Sequence, residues 1–286
     1  MKNWRLWILC LCCGVYLQSN AQTKLPAIGI TASLSSDSLA AASGFTYLEE
    51  TVRRVLSPNN TIIQFNELVK ALQHTKCKVQ SCNVFIPGEM KLVGPDVNEA
   101  RVLGYVDTVM QRARIAGIRI IVLGSGEARK IPPGTDSVAA VKQFITLCRK
   151  MAVVAAKYGR TIAMENLNSG ETNFINTLAQ GNAVVTAINH PNFRLTADIY
   201  HMLKENESPE SIIAARHVLV HCHIAERDKR TPPGVEGDDF TPYFAALHKI
   251  GFQGCIMMEC RWTDPATQYK PAYDYLYKQL KTAYNL

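Results

Sequence analysis

The chain has 286 residues, of which 47% are hydrophobic and 19% charged, with 17 Gly and 13 Pro. That length and composition support one sizeable hydrophobic core and exclude a disordered, collagen-like or small disulfide-framework protein. The formal charge of +7 is spread along the chain without a basic run, so charge gives no ground for a nucleic-acid partner.

The first predicted element is a targeting segment over 1–21, a signal peptide. Lys2 and Arg5 form a positive start, and Leu6 to Leu17 is an apolar stretch too short to span a bilayer comfortably. Ser19-Asn20-Ala21 then places small residues where a signal peptidase cuts. The mature chain is expected to begin at Gln22 and to be exported, either periplasmic or secreted. No later apolar run reaches transmembrane length, so no membrane span is expected. Cys10, Cys12 and Cys13 each lack the small preceding residue of a lipid-anchor site. Six cysteines remain, at 77, 82, 148, 222, 255 and 260. Sequence cannot assign pairings among them, and buried free thiols are the expected state.

Short apolar stretches alternate with helical patterns from there on. Strands are predicted at 28–32, 45–51, 79–86 and 118–124, then at 161–166, 193–199, 217–224 and 254–260. A brief helix fits before Gly44. Longer ones fit 60–74, 97–116, 136–158, 173–189, 208–216, 240–250 and 268–284. Strands alternating with helices imply a parallel sheet, and eight such units over 26–286 predict a single (β/α)8 TIM barrel, an α/β fold. An open doubly wound sheet holding a dinucleotide would open on a glycine-rich turn, which Ser33-Leu34-Ser35-Ser36 is not. Gly124-Ser125-Gly126 is a lone G-x-G, read as a tight turn that lets backbone approach a ligand.

In such a barrel, chemistry sits at the C-terminal ends of the strands. Each of the last four predicted strands ends in metal-ligand residue types: Glu165 on the fifth, Asp198 on the sixth, His223 on the seventh and Glu259 on the eighth. Alternation of side chains puts His221 and His223 on one face and turns Cys222 and Cys260 away. Each residue alone has an ordinary role open to it, and Asp198 in particular suits the cap of a following turn. Together they would be costly to bury unpaired. Three carboxylates and one imidazole form an oxygen-rich set that suits manganese, magnesium or cobalt better than structural zinc. Glu49 on the second strand either faces the pocket or, as the ordinary expectation, joins a surface ion pair. Tyr200 is expected in the core. Phe85 to Gly88 and Trp262 are open to stacking on a sugar ring or to plain rim packing.

The motifs E-N-L-N (165–168), D-x-x-H (198–201), H-x-H-I-A-E (221–226), R-x-P-P-G (230–234) and M-E (258–259) carry a resemblance. The chain resembles the xylose isomerase-like TIM barrel superfamily, in particular its sugar phosphate isomerase/epimerase branch with the ketose 3-epimerases. The resemblance implies Glu165, Asp198, His223 and Glu259 as metal ligands. It implies His201, Arg230 and Glu171 as substrate-binding residues. One extra residue between His223 and Gly234 leaves Lys229 competing with Arg230.

A metal-gripped carbonyl and a carboxylate on each side, Glu165 and Glu259, give proton transfer α to the carbonyl through an enediolate. The expected activity is metal-dependent isomerisation or epimerisation of a carbohydrate, and export favours a free sugar or glycoside over a sugar phosphate. Two alternatives remain open: a lyase expelling the aglycone of a 3-keto-glycoside, and a non-catalytic sugar-binding barrel. The endonuclease branch of the fold needs further His ligands on early strands, and neither Cys82-Asn83 nor Leu123-Gly124-Ser125 supplies one.

Overall fold

The computed structural model describes residues 24–286. The targeting segment expected over 1–21, with Cys10, Cys12 and Cys13, lies outside the described residues.

Eight parallel strands close into a barrel in chain order. They are β1 (Ala27–Thr31), β2 (Tyr47–Thr51), β3 (Lys78–Asn83), β4 (Ile120–Leu123), β5 (Thr161–Glu165), β6 (Phe193–Asp198), β7 (Leu219–Ile224) and β8 (Cys255–Met258). Closure runs through β1 and β8, where Ala27 pairs with Cys255 and Ile30 with Met258. Most strand residues are buried, as expected of strands covered on both faces. The register shifts at two places, between Leu48 and Glu49 on β2 and between Leu195 and Thr196 on β6.

The helices that wrap the barrel start and stop where local chemistry dictates. Thr61 and Gln64 form a reciprocal capping box before the helix Ile62–Gln73. Asn98 caps Glu99–Ala116, and Gly117 ends it in the left-handed conformation at φ 77°. Asp136 caps Ser137–Lys157, whose buried stripe Phe144, Leu147, Met151 and Ala155 packs on the barrel wall. The helix predicted at 173–189 begins only at Leu178, because residues 166–177 form a loop on the C-terminal rim. Three short helices were not predicted: Val52–Val55, Gly126–Arg129 and Ile199–Lys204. They directly follow strand ends and are too short to show a period.

The six described cysteines are free thiols. Among the described residues no helix is long and apolar enough to cross a membrane.

Candidate active site

The C-terminal rim gathers the side chains that the sequence placed there. Glu165, Asp198, His223 and Glu259 each offer one ligand atom, and these atoms lie within 4.8 Å of one another. His223 is the centre. Its Nδ1 is 2.6 Å from Glu165 Oε1, 3.0 Å from Glu259 Oε2 and 3.9 Å from Asp198 Oδ2. Lateral pairing sets this convergence, because Asp198 lies opposite His223 across β6 and β7 and His223 lies opposite Met257 across β7 and β8.

Asp198 serves both roles that its position allows. Its Oδ1 accepts the His201 backbone N–H at 3.1 Å and so caps the helix Ile199–Lys204. Its Oδ2 is buried without a hydrogen-bond partner among the described residues. A buried orphan carboxylate oxygen is costly unless a cation or a donor reaches it. With two further carboxylates and an imidazole converging on the same space, the residues fit a divalent cation with mixed oxygen and nitrogen ligands.

The electrostatics agree. Burial pushes the Asp198 carboxyl up to about 6, against the pull of Arg230 and His223. Burial also raises Glu165 above the usual carboxylate range, although His223 opposes it. Burial acts the same way on Glu259, but His223 and Arg230 outweigh it and hold that carboxyl down at about 2. Burial alone would lower the His223 imidazole, yet Glu49, Glu259 and Glu165 together hold it well above its ordinary value. Without a metal cation, an imidazolium is the charge that these carboxylates gather around.

His201 is fully buried, and its ring orientation is fixed by Asn168. The Asn168 backbone N–H donates to His201 Nδ1 at 3.0 Å, so Nδ1 is the acceptor and Nε2 carries the proton. Nε2 has no hydrogen-bond partner among the described residues and lies 3.5 Å from Asp198 Oδ2, on the site side of the ring. Burial lowers its pKa to about 4, which leaves the ring neutral at ordinary pH.

Arg230 reaches the site and Lys229 does not. The Arg230 guanidinium donates from Nη2 to Glu259 Oε2 at 2.7 Å and from Nε to the Glu259 carbonyl at 3.0 Å. It lies 4.8 Å above the Tyr200 ring and 3.5 Å from Glu171. Lys229 is 71% exposed and pairs with Asp228 and Glu236. Arg230 itself sits at φ +58°, in the left-handed region. The turn that holds it there is organised by Glu226, a fully buried carboxylate. Glu226 accepts the backbone N–H groups of Gly234, Glu236 and Gly237 at 2.7, 2.5 and 2.9 Å, and the Thr231 hydroxyl at 2.9 Å. Glu171 is the most open of the predicted group, with its side chain 41% exposed at the outer edge.

The remaining motif positions are braces. Asn166 exchanges two hydrogen bonds with the Asp198 backbone, tying the ends of β5 and β6 together. Asn83, at the end of β3, donates to Glu259 Oε1 at 2.9 Å. Asn83 stands in no motif, so nothing in the pattern of residues pointed to it. Glu49 corrects an expectation. It is not in a surface ion pair but fully buried, with His221 and His223 each 2.9 Å away. Its position one pleat before the strand end was the available signal. The G-x-G turn also differs from its reading. A Cβ at Gly124 would strike Glu165 Oε2, so this glycine makes room for the carboxylate. Tyr200 is buried as expected; Phe85 is core, and Trp262 packs edge-on against Tyr269 at 4.7 Å.

Residues 38–279 match the family described as a xylose isomerase-like TIM barrel. An L-ribulose 3-epimerase from Methylomonas sp. is 36% identical over 128 residues, 44% of each chain. A ketose 3-epimerase from Arthrobacter globiformis is 32% identical over 38% of each chain. These two matches therefore span less than half the length of either relative. A 3-dehydro-D-guloside 4-epimerase from Escherichia coli is 26% identical over 64% of this chain and 74% of its own. Among solved structures, a 3-keto-D-glucoside 4-epimerase from E. coli superposes with a TM-score of 0.74 at 23% identity, covering 89% of this chain and all of its own. An L-ribulose 3-epimerase gives 0.75 at 21% identity, covering 91% and 93%.

Two outcomes follow from this geometry. Gly124→Ala should displace the Glu165 carboxylate and cut metal retention at least tenfold while the protein still folds; unchanged metal content would contradict the steric reading. In the metal-free protein at pH 6, well above its lowered pKa of about 4, nitrogen NMR should show His201 neutral with the proton on Nε2. A protonated ring at that pH, or a proton on Nδ1, would contradict the tautomer set by Asn168.

Proposed function

The chain belongs to the xylose isomerase-like TIM barrel family, and we propose that it is a metal-dependent sugar epimerase acting on a free ketose or a keto-glycoside. The observation that carries this reading is the pair Glu165 and Glu259. They enter one pocket from β5 and from the end of β8, with a neutral imidazole donor and a guanidinium beside them. Relatives named for inverting C3 of a ketose and C4 of a 3-dehydro-glycoside support it. In both, the inverted carbon stands next to the carbonyl, so one proton-exchange chemistry serves either substrate.

Glu165, Asp198, His223 and Glu259 would hold a divalent cation, manganese first with magnesium or cobalt as substitutes, which when bound would supply the Lewis acidity that makes an α-proton removable. The chain's own residues do the rest. One of Glu165 and Glu259 takes the proton from one face of the sugar, leaving an enediolate, and the other returns a proton to the opposite face. The His201 Nε2–H and the Arg230 fork donate to the oxygens on which charge develops. Each such donor is worth about 2–4 kcal/mol of transition-state stabilisation. Glu171 at the outer edge accepts from a substrate hydroxyl. Return of the proton to the same carbon gives an epimer and keeps any aglycone in place.

The test is incubation with a panel of ketoses and keto-glycosides in deuterated water with manganese. One deuterium at the inverted carbon, with molecular formula otherwise retained, is the expected result. Release of an aglycone would replace this reading with the lyase. Metal binding without deuterium entry into any sugar would replace it with a non-catalytic sugar-binding barrel.

We further propose that the protein acts outside the cytoplasm after removal of 1–21, a reading supported by Lys2, Arg5 and the apolar stretch that follows. Protein from the native cell should then start at Gln22. An intact Met1 on cytoplasmic protein would instead bring sugar phosphates back as substrates.

A further inference from the structure

Beneath the rim, the barrel interior holds a second buried polar cluster of Glu49 from β2 with His221 and His223 from β7. Glu49 has no solvent exposure. Its Oε2 bonds His221 Nε2 at 2.9 Å, and its Oε1 lies 2.9 Å from His223 Nε2 and accepts the Thr31 hydroxyl at 3.3 Å. The two imidazoles meet edge to face at 5.0 Å. His223 therefore spans two layers. Its Nδ1 faces Glu165 and Glu259 on the rim, and its Nε2 faces Glu49 below.

This arrangement fixes which nitrogen carries the proton of the neutral ring. With a cation on the rim side, Nδ1 must offer it a lone pair, so the proton of the neutral ring is left on Nε2, where Glu49 Oε1 at 2.9 Å is the negative charge that favours it. The Nε2 to Oε1 contact is at ion-pair distance without the alignment of a full hydrogen bond, so Glu49 acts on this nitrogen chiefly through charge. Nδ1 then turns its lone pair to the space on which the three rim carboxylates converge, which is where the cation would sit. A ligand imidazole backed by a carboxylate is oriented, locked in one tautomer and made more basic.

We infer that Glu49 is a positioning residue, keeping the proton of His223 on Nε2 so that Nδ1 is presented to the cation of the rim site, with His221 and Thr31 aiming its carboxylate. The inference rests on the reading of the rim residues as a cation site. The same three side chains offer a rival role, a second cation site sharing His223 with the first. Thr31 and His221 already occupy both oxygens of the Glu49 carboxylate, which favours positioning over ligation.

The test uses the full chain, with manganese(II) titrated by electron paramagnetic resonance and cobalt(II) read by its visible absorption. Wild-type protein should take one ion. Glu49→Ala should weaken manganese binding by about 10–100-fold and shift the cobalt bands. Glu49→Gln keeps an acceptor near Nε2 but not the charge, so it should fall between the two, several-fold weaker than wild type. If the alanine variant does not fold, the near-isosteric glutamine variant carries the test alone. Wild-type affinity and cobalt bands in the folded variants overturn the inference and leave the rim site standing. Two ions per chain, falling to one in Glu49→Ala, overturn it by making Glu49 a ligand. A wild-type protein that holds no ion overturns both readings together.

Discussion

One imidazole buried among four carboxylates is the arrangement on which the rest of the rim depends. His223 lies within 3.0 Å of Glu49, Glu165 and Glu259 and within 3.9 Å of Asp198, and all but Glu259 are essentially without solvent. Carboxylates this close repel strongly once water is removed, and each carries a desolvation penalty of several kcal/mol, on the order of what one buried ion costs. A hydrophobic interior never assembles such a group for stability alone. The fold tolerates it because each carboxylate is delivered by a different strand, or the residue just past one, of a closed barrel.

The loops above the sheet are held with similar economy, by polar side chains that bond to backbone. Asn166 joins β5 to β6, Asn168 sets the His201 tautomer, and Glu226 gathers the turn that carries Arg230. Arg230 and Ser125 both occupy left-handed backbone, at φ +58° and +44°. Non-glycine residues rarely sit there, and they persist only where surrounding contacts over-determine them. Ser125 donates nothing to the rim chemistry. Its hydroxyl accepts the Ile86 N–H at 2.9 Å, which fixes the turn that opens space beside Glu165. Backbone strain and glycine placement thus serve the position of one carboxylate.

The barrel and its rim ligands were legible because both follow from simple periodicities. Eight apolar runs separated by helical patterns specify the strands, and a ligand residue type at the end of each of the last four specifies the rim. Glu49 was misjudged because Leu48-Glu49-Glu50 shows two adjacent carboxylates, and sequence does not say which of them turns inward. The pleat puts Glu49 inside, while Glu50 accepts the backbone N–H groups of Leu34 and Thr51 on the other face. The choice is set by register against β3, which slips between Leu48 and Glu49 and is a tertiary property. Asn83 was invisible for the same reason. Its partner, Glu259, is 176 positions away, and an asparagine at a strand end has many uses. Arg230 over Lys229 was decided by the turn around Glu226, whose hydrogen bonds no single sequence displays.

The two carboxylates that flank the pocket are not equivalent, and the asymmetry comes from their neighbours. Glu259 is engaged on both oxygens, by Arg230 on Oε2 and by Asn83 on Oε1, and is held strongly anionic at about 2. Among the described residues Glu165 has only the His223 ring as a hydrogen-bond partner, and burial dominates, so its carboxyl is raised. Pushing the pKa values of a carboxylate pair in opposite directions is how one site keeps an acid and a base side by side at one pH. Here the device is built from different strands: Asn83 comes from β3 and Arg230 from the loop after β7, and both converge on Glu259 alone. The epimerisation proposed above, which takes a proton from one face and restores one on the other, would gain from that inequality. Two identical carboxylates facing the same group would compete for one proton, whereas these two begin with different claims on it.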